Sequence, residues 1–394
     1  MIVITGAAGF IGSRMVQHLN ESGRSDLVLV ADYPVMPVEM CHDVLEMDPC
    51  PDVETCHGAS LQSECSSLQN DGASKMPSCP DVETCHGASL QELRYLEKIP
   101  REFFFDWLAL NHQKVDFIIH LGAEIDTLSE DTACYQELIL EFSQRLWSFA
   151  AMNRIPLLFA AEPTEAKWHW TGLEWVGWCC GAGPAVPSAQ VDKSVVVAVQ
   201  SVPTSQSSVA FRIAEAERLK RQFDQWVLKQ GVMPPLWAGF AMPEVYGPHE
   251  ERIGIAASSV YQLFWQWQKE GRMVVPSYEN SENSEKEPMM DRVFVKDVVT
   301  VFTWFINHLP ASGFYYLGTG YPRPMSAVAA AIFSALKLPP KVEHQFISSS
   351  EIYTQNDNPL ILNKINRVGY KKNFTSLEKG VRLSLKNFLS TNYF

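Results

Sequence analysis

In the stretch TGAAGFIGS, Gly6, Gly9 and Gly12 follow one apolar run and open an amphipathic one. The first glycine permits a tight turn, the second lets a pyrophosphate approach the backbone, and the third lets the helix pack on the strand. The helix N-terminus, entered through Phe10 and Ile11, then faces the anion. About 20 residues beyond Gly12 stands Asp32, where a carboxylate hydrogen-bonds the adenosine ribose and repels a 2′-phosphate. Together these residues would bind NAD or NADP, with Asp32 favouring NAD. A second group of chemistry-bearing residues lies in CPDVETCHGASLQ, which occurs at 50–62 and again at 79–91. It offers Cys50, Cys56 and His57 in one copy and Cys79, Cys85 and His86 in the other. Zinc sites usually pair cysteines about two to four residues apart, and these pairs are wider. Two copies also fall short of the roughly three that a stacked solenoid needs. The repeat therefore reads as a tandem duplication on a polar surface excursion, and no metal is expected.

The elements that must position these residues alternate. A strand begins at Ile2, so no leader is expected before it unless one has been removed. LVLVA, VDFIIHLGAE (115–124) and IPLLFAAE (155–162) read as further buried strands. Residues 93–113 read as helical, and 132–152 as a long helix with Leu138, Phe142, Leu146 and Phe149 on its apolar side. Residues 163–209 read as irregular and carry Trp168, Trp170, Trp175 and Trp178. An amphipathic helix follows at 211–227, another at 254–270, a polar loop at 277–288, and a strand running into a helix from Asp291. GFYYLGTG reads as a strand, with helices from Met325 and at the tail. This order predicts an α/β fold: a Rossmann-type, doubly wound parallel sheet with a smaller C-terminal α/β domain. The expected division is 1–235, with the repeat inserted near 49–91, and 236–394, with some segments interleaved.

With 394 residues the chain can bury one large or two modest cores. A net charge of −13 argues against a nucleic-acid or anionic-membrane partner. No run approaches the roughly 18 apolar residues of a membrane span. Nine cysteines, an odd number, argue against a disulfide framework. A reducing, cytoplasmic setting is the default; a removed presequence would place the chain in mitochondria instead.

VITGAAGFIGS (3–13), VDFIIHLGAE, RIPLLFA (154–160), VYGPHE (245–250), VFVKDV (293–298), FYYLGTG (314–320) and GYKKNFTSLEKGV (369–381) span nearly the whole chain in order. Through them the sequence resembles the extended short-chain dehydrogenase/reductases, the NAD-dependent epimerase/dehydratase family, and within them the ADP-glycero-manno-heptose 6-epimerases. The resemblance implies that Gly6, Gly9 and Gly12 hold the pyrophosphate, Asp32 the ribose, and Asp43, with Val44 beside it, the adenine. It places Leu121, Gly122 and Ala123 beside the cofactor and Lys220 near the nicotinamide ribose. It further implies a homodimer through the helices around 132–152 and 211–229.

The family's chemistry needs a tyrosine four residues before that lysine, because a phenol of pKa about 10 must have a nearby cation to act near neutrality. None of the 12 tyrosines has a lysine four residues later, and Ala216 occupies the expected place. Glu162 or Pro163 stands near the family's serine, and Thr164 is the nearby hydroxyl. Ala241 and Glu244 replace an arginine and an asparagine, and Ile253, with Arg252 beside it, replaces a second lysine. Glu215 and Glu217 point about 100° away from Ala216 on a helix, and Tyr246 reads as packing. Lys220 and Thr164 are the remaining catalytic candidates. The favoured reading is a catalytically degenerate, NAD-binding, epimerase-like protein, structural or regulatory, in a larger assembly and docking partners through Trp168–Trp178. Its rival is an active nucleotide-sugar epimerase or reductase with a displaced acid–base group.

Overall fold

A computed structural model describes residues 1–31, 93–122, 132–162, 166–170, 175–179, 204–250, 257–279, 285–287, 289–346 and 364–389. Asp32, Asp43, Val44, Ala123, Thr164, Arg252, Ile253 and both repeat copies lie outside them, as do the side chains of Trp168 to Trp178.

A seven-stranded sheet carries the fold, in the order β14-β8-β5-β4-β1-β2-β3. Its strands are β1 (Ile2–Thr5), β2 (Leu27–Ala31), β3 (Glu97–Pro100), β4 (Phe117–His120), β5 (Leu157–Ala161), β8 (Trp237–Ala241) and β14 (Gly313–Tyr316). Every neighbouring pair is parallel. The order runs outward from β1 in both directions, the doubly wound arrangement expected from the sequence. Central strands are apolar at consecutive positions because both faces are covered. Ile2 and Ile4 pack under α1 (Phe10–Glu21) and α6 (Val295–His308), with Met15, Val16, Phe302 and Phe305. Val3 points the other way, toward α2 (Phe104–Asn111), α3 (Phe142–Met152) and α4 (Thr204–Val227), through Leu108, Trp147, Phe223 and Val227. A third apolar cluster joins α5 (Ser259–Glu270), α7 (Met325–Leu336), α8 (Leu377–Phe388) and β10 (Met273–Glu279). Short pairs β9 (Glu244–Tyr246) with β13 (Arg292–Phe294), and β12 (Met289–Met290) with β15 (Arg323–Pro324), link it to the large sheet.

Several local expectations are corrected. The stretch read as one helix from 93 to 113 begins as strand β3, paired to the open edge of β2. Only Ile99 of that strand is buried, and Pro100, which lacks an N–H, closes it at the sheet edge. The long helix at 132–152 is π-helical over Gln136–Glu141. The wider turn shifts the buried stripe to Ile139, Ser143, Leu146 and Trp147, leaving Leu138, Phe142 and Phe149 half-buried. Part of the segment read as irregular is an antiparallel hairpin of β6 (Ala166–Trp170) and β7 (Trp175–Cys179). The helix carrying Lys220 starts at Thr204 rather than Phe211, and the helix expected from 254 starts at Ser259, where Ser258 caps it through the N–H of Tyr261. The polar loop expected at 277–288 is partly strand, with β10 reaching Glu279 and pairing with β11 (Glu285–Lys286). Among the described residues no helix is long and apolar enough to cross a membrane, and no cluster of three metal-ligating side chains occurs.

Candidate active site at the carboxyl edge of the sheet

The glycine turn is built around close backbone approach. Gly6 has φ of +67°, and a Cβ there would lie 2.6 Å from both Cα and N of Gly122. A Cβ on Gly12 would lie 1.9 Å from the Gly6 carbonyl oxygen, so the helix sits directly on the turn. The Gly9 N–H donates to the Gly6 carbonyl at 3.0 Å, and Gly9 forms the start of α1 without a side-chain cap or an acidic residue in the first turn. The first-turn N–H groups of a helix have no partner within it, and its positive end favours an anion. Phe10 turns its ring into the core and Ile11 packs beside it, so both contribute to this cradle through the backbone. The cradle fits a dinucleotide pyrophosphate.

A buried relay ties the turn to the neighbouring strand. The Leu121 N–H donates to the Thr5 carbonyl at 3.2 Å, and the Gly122 N–H to Thr5 Oγ1 at 3.3 Å. Thr5 Oγ1 lies 2.7 Å from His120 Nδ1, and His120 Nε2 lies 2.9 Å from Ser143 Oγ. Because the Ser143 hydroxyl donates to the Ile139 carbonyl, its oxygen accepts from Nε2–H, and Nδ1 accepts from Thr5. That assigns the Nε2–H tautomer. Burial, reinforced by the positive charges of Arg101 and Lys220, pushes the His120 pKa down to about 3. His120 is therefore a neutral strut joining β1, β4 and α3.

Lys220 is half-buried, and its charge acts on both His120 and Asp224. It thus lies near the ends of β4 and β5, since Asp224 Oδ2 accepts the Glu162 N–H at 2.9 Å just past β5. Burial raises the Asp224 pKa to about 8; the Glu162 carboxylate adds to the rise, and Lys220 and Arg221 oppose it. Its Oδ1 is buried without a hydrogen bond among the described residues. The carboxyl ends of parallel strands are where open α/β sheets take their ligands.

Position 216 is closed. Ala216 is 0% exposed, in a buried cluster with Tyr135, Ile139 and Leu219. Glu215 pairs with Arg218 through Nε at 2.7 Å, and that pairing lowers its pKa, so it is committed elsewhere. Glu217 is buried. Tyr246 is packing: it is 1% exposed, and a Cβ on Gly380 would lie 2.0 Å from its hydroxyl oxygen. Glu244 is structural too. Its Oε2 receives Arg292 Nε at 2.7 Å and Ser259 Oγ at 2.6 Å, and its Oε1 the Ser259 N–H at 2.8 Å. Arg292 also donates to the Arg323 carbonyl at 3.0 Å. The sequence alone gave no signal for Tyr135, since its neighbour Ala216 is remote in the chain.

No family model matches the chain. Among characterised sequences it is 23% identical to the ADP-L-glycero-D-manno-heptose-6-epimerase of Fusobacterium nucleatum, over 99% of this chain and 98% of that one. It is 22% identical to the Nitratidesulfovibrio vulgaris protein of the same name, with the same coverage. Of solved structures, the Helicobacter pylori heptose epimerase superposes with a TM-score of 0.57 at 16% identity, covering 99% of this chain and 96% of that one. The Thermus thermophilus UDP-glucose 4-epimerase, solved with NAD, gives 0.55 at 16% identity over 99% of both chains. The fold is thus one that holds NAD. Strand order, glycine turn and end-to-end likeness together give this chain the Rossmann-type fold of the NAD-dependent sugar-nucleotide epimerases and make it similar, over nearly its whole length, to the ADP-heptose 6-epimerases.

Proposed function

We propose that the chain binds NAD in its glycine turn and acts on a nucleotide-diphosphate sugar as an epimerase-type enzyme whose acid–base group is displaced from position 216. The carrying observation is that Lys220 is retained on α4 one turn before Asp224, whose carboxyl group accepts the Glu162 N–H just past the carboxyl end of β5. In this reading Gly6, Gly9 and Gly12, with the backbone of Phe10 and Ile11, hold the pyrophosphate. Leu121, Gly122 and Ala123 flank it, and Asp32, Asp43 and Val44 hold the adenosine. Asp32 favours NAD over NADP. Bound there, NAD supplies a reversible hydride acceptor. Lys220 holds the nicotinamide ribose, and Thr164 is the candidate hydroxyl by its place in the sequence after β5. The end-to-end likeness to heptose epimerases supports this reading over a purely structural one. A panel of nucleotide-diphosphate sugars incubated with NAD-loaded protein, with products followed by proton NMR, tests it. Inversion at one sugar carbon is expected, and unchanged sugars throughout would overturn it.

One observation favours a second reading, a catalytically degenerate structural or regulatory component: Ala216 is sealed in apolar packing rather than open to a ligand. That reading predicts NAD bound without turnover of any sugar.

A further inference from the structure

Four hydrogen bonds run in one direction from the carboxyl ends of β1 and β4 into the helical layer. The Gly122 N–H can only donate, so Thr5 Oγ1 accepts it and keeps its own proton for His120 Nδ1. His120 Nε2–H donates to Ser143 Oγ, and the Ser143 hydroxyl donates to the Ile139 carbonyl. Each hydroxyl has one proton to give, so this direction satisfies every member of the chain. Thr5 is 0%, Ser143 3% and His120 5% exposed, so the three side chains face one another rather than a ligand. A half-satisfied polar chain would be costly at this depth, and apolar side chains of similar volume would fill the space without that risk. What the polar chain adds is geometry, because directional bonds fix distances that apolar contacts leave adjustable.

Its two ends reach two different parts of the dinucleotide site. At one end Gly122 lies against the glycine turn, where a Cβ on Gly6 would meet Gly122 Cα and N at 2.6 Å, so the cradle moves only with Gly122. At the other end Ile139 lies in the π-helical turn of Gln136–Glu141 and packs in one buried cluster with Ala216 and Leu219 of α4. Ala216 stands one turn before Lys220 on that helix, and Leu219 immediately before it. Turns of this π-helical kind recur at functional sites.

We propose that Thr5, His120 and Ser143 are positioning residues that set the separation between the pyrophosphate cradle and the helix carrying Lys220. The proposal rests on the reading in which NAD occupies the glycine turn and Lys220 holds its nicotinamide ribose. NAD spans both features and so depends on the whole chain of bonds. ADP fills the cradle alone, and so depends on Thr5 and Gly122 but not on Ser143.

Calorimetric titration of NAD and of ADP into the intact wild type, Ser143→Ala, Lys220→Met and the double variant tests this, at a temperature where urea unfolding shows all four to be folded. Ser143→Ala leaves the Gly122–Thr5 bond in place. It should weaken NAD by about tenfold, the equivalent of one hydrogen bond, while ADP binds as before. In the Lys220→Met background it should cost NAD nothing further, a non-additive result that marks the two residues as coupled. Thr5→Val removes the hydroxyl at constant shape and should weaken both ligands, and Thr5→Ser, which keeps the hydroxyl, should bind both as the wild type does. A merely structural chain gives another pattern: lower melting temperatures, equal losses for NAD and ADP, and effects of Ser143→Ala and Lys220→Met that add. That pattern, or an unchanged NAD affinity in Ser143→Ala, overturns the proposal and leaves the cofactor reading standing. A wild type that binds neither NAD nor ADP overturns both.

Discussion

Replacing Gly12 with alanine should uncouple cofactor binding from the fold more sharply than any neighbouring change. The new Cβ would sit 1.9 Å from the Gly6 carbonyl oxygen, 2.7 Å from the Gly6 carbonyl carbon and 2.9 Å from Ala7 Cα. All three contacts are backbone, so no side chain can swing away. Restoring ordinary contact requires the start of α1 to retreat from the turn by more than 1 Å. Overpacking of this kind costs about 1–3 kcal/mol of stability. The same retreat pulls the first-turn N–H groups from the pyrophosphate, and losing one charge-assisted hydrogen bond, worth about 1.5–3 kcal/mol, weakens NAD at least tenfold. Gly23→Ala is the control. Gly23 has φ of +87° but nothing within 4 Å of an added Cβ. It should cost roughly 1–2 kcal/mol in backbone strain alone and leave NAD affinity unchanged. Urea denaturation reads the stabilities and calorimetric titration reads the affinities. If Gly12→Ala binds NAD as the wild type does, the glycine turn is not the pyrophosphate site.

Other perturbations bear on the frame. Arg292→Met alone should destabilise the fold by about 3–5 kcal/mol, because it strands the largely buried Glu244 carboxylate. Adding Glu244→Leu should recover much of that loss in thermal unfolding. Asp224, raised to about 8 in the fold from 3.8, remains protonated in the folded chain where the unfolded chain has already ionised. Its stabilising share is therefore full below pH 4 and lost as pH rises toward 8, and Asp224→Asn should narrow that loss by at least about 1.4 kcal/mol, one pKa unit's worth. His120 acts in the opposite direction. Held neutral with a pKa near 3, it takes up a proton on unfolding at an ordinary 6.5, so stability falls as pH drops from 6.5 toward 3. Ser143→Ala, which leaves Nε2–H without its acceptor, should lower the melting temperature across the neutral range.

The sheet was legible because its strands are short, continuously apolar and bounded by turn residues, and because Gly6 and Gly12 are required wherever two backbones meet this closely. β3 was misread because EKIP follows a helix-like run, and pairing with the β2 edge decides its conformation. The π-helical turn at Gln136–Glu141 moved the buried stripe by a fraction of a turn, which a regular 3.6-residue period cannot reveal. In the site, Lys220 and Ala216 could be read from spacing along one helix. Tyr135 could not, since its relation to Ala216 exists only once two helical segments pack. Glu244 looked like a lost substrate contact, and its role became clear only when Arg292 and Ser259 were found on it.

The central claim is that this chain moves hydride between NAD and a nucleotide-diphosphate sugar. A rapid-mixing experiment tests it most directly: NAD-loaded protein is mixed with the sugar nucleotide that it binds most tightly, and the absorbance of reduced nicotinamide is followed through a single turnover. A transient rise and decay is the predicted result. A flat trace at saturating sugar, with NAD demonstrably bound, would contradict the account and leave the fold serving as a structural NAD-binding component.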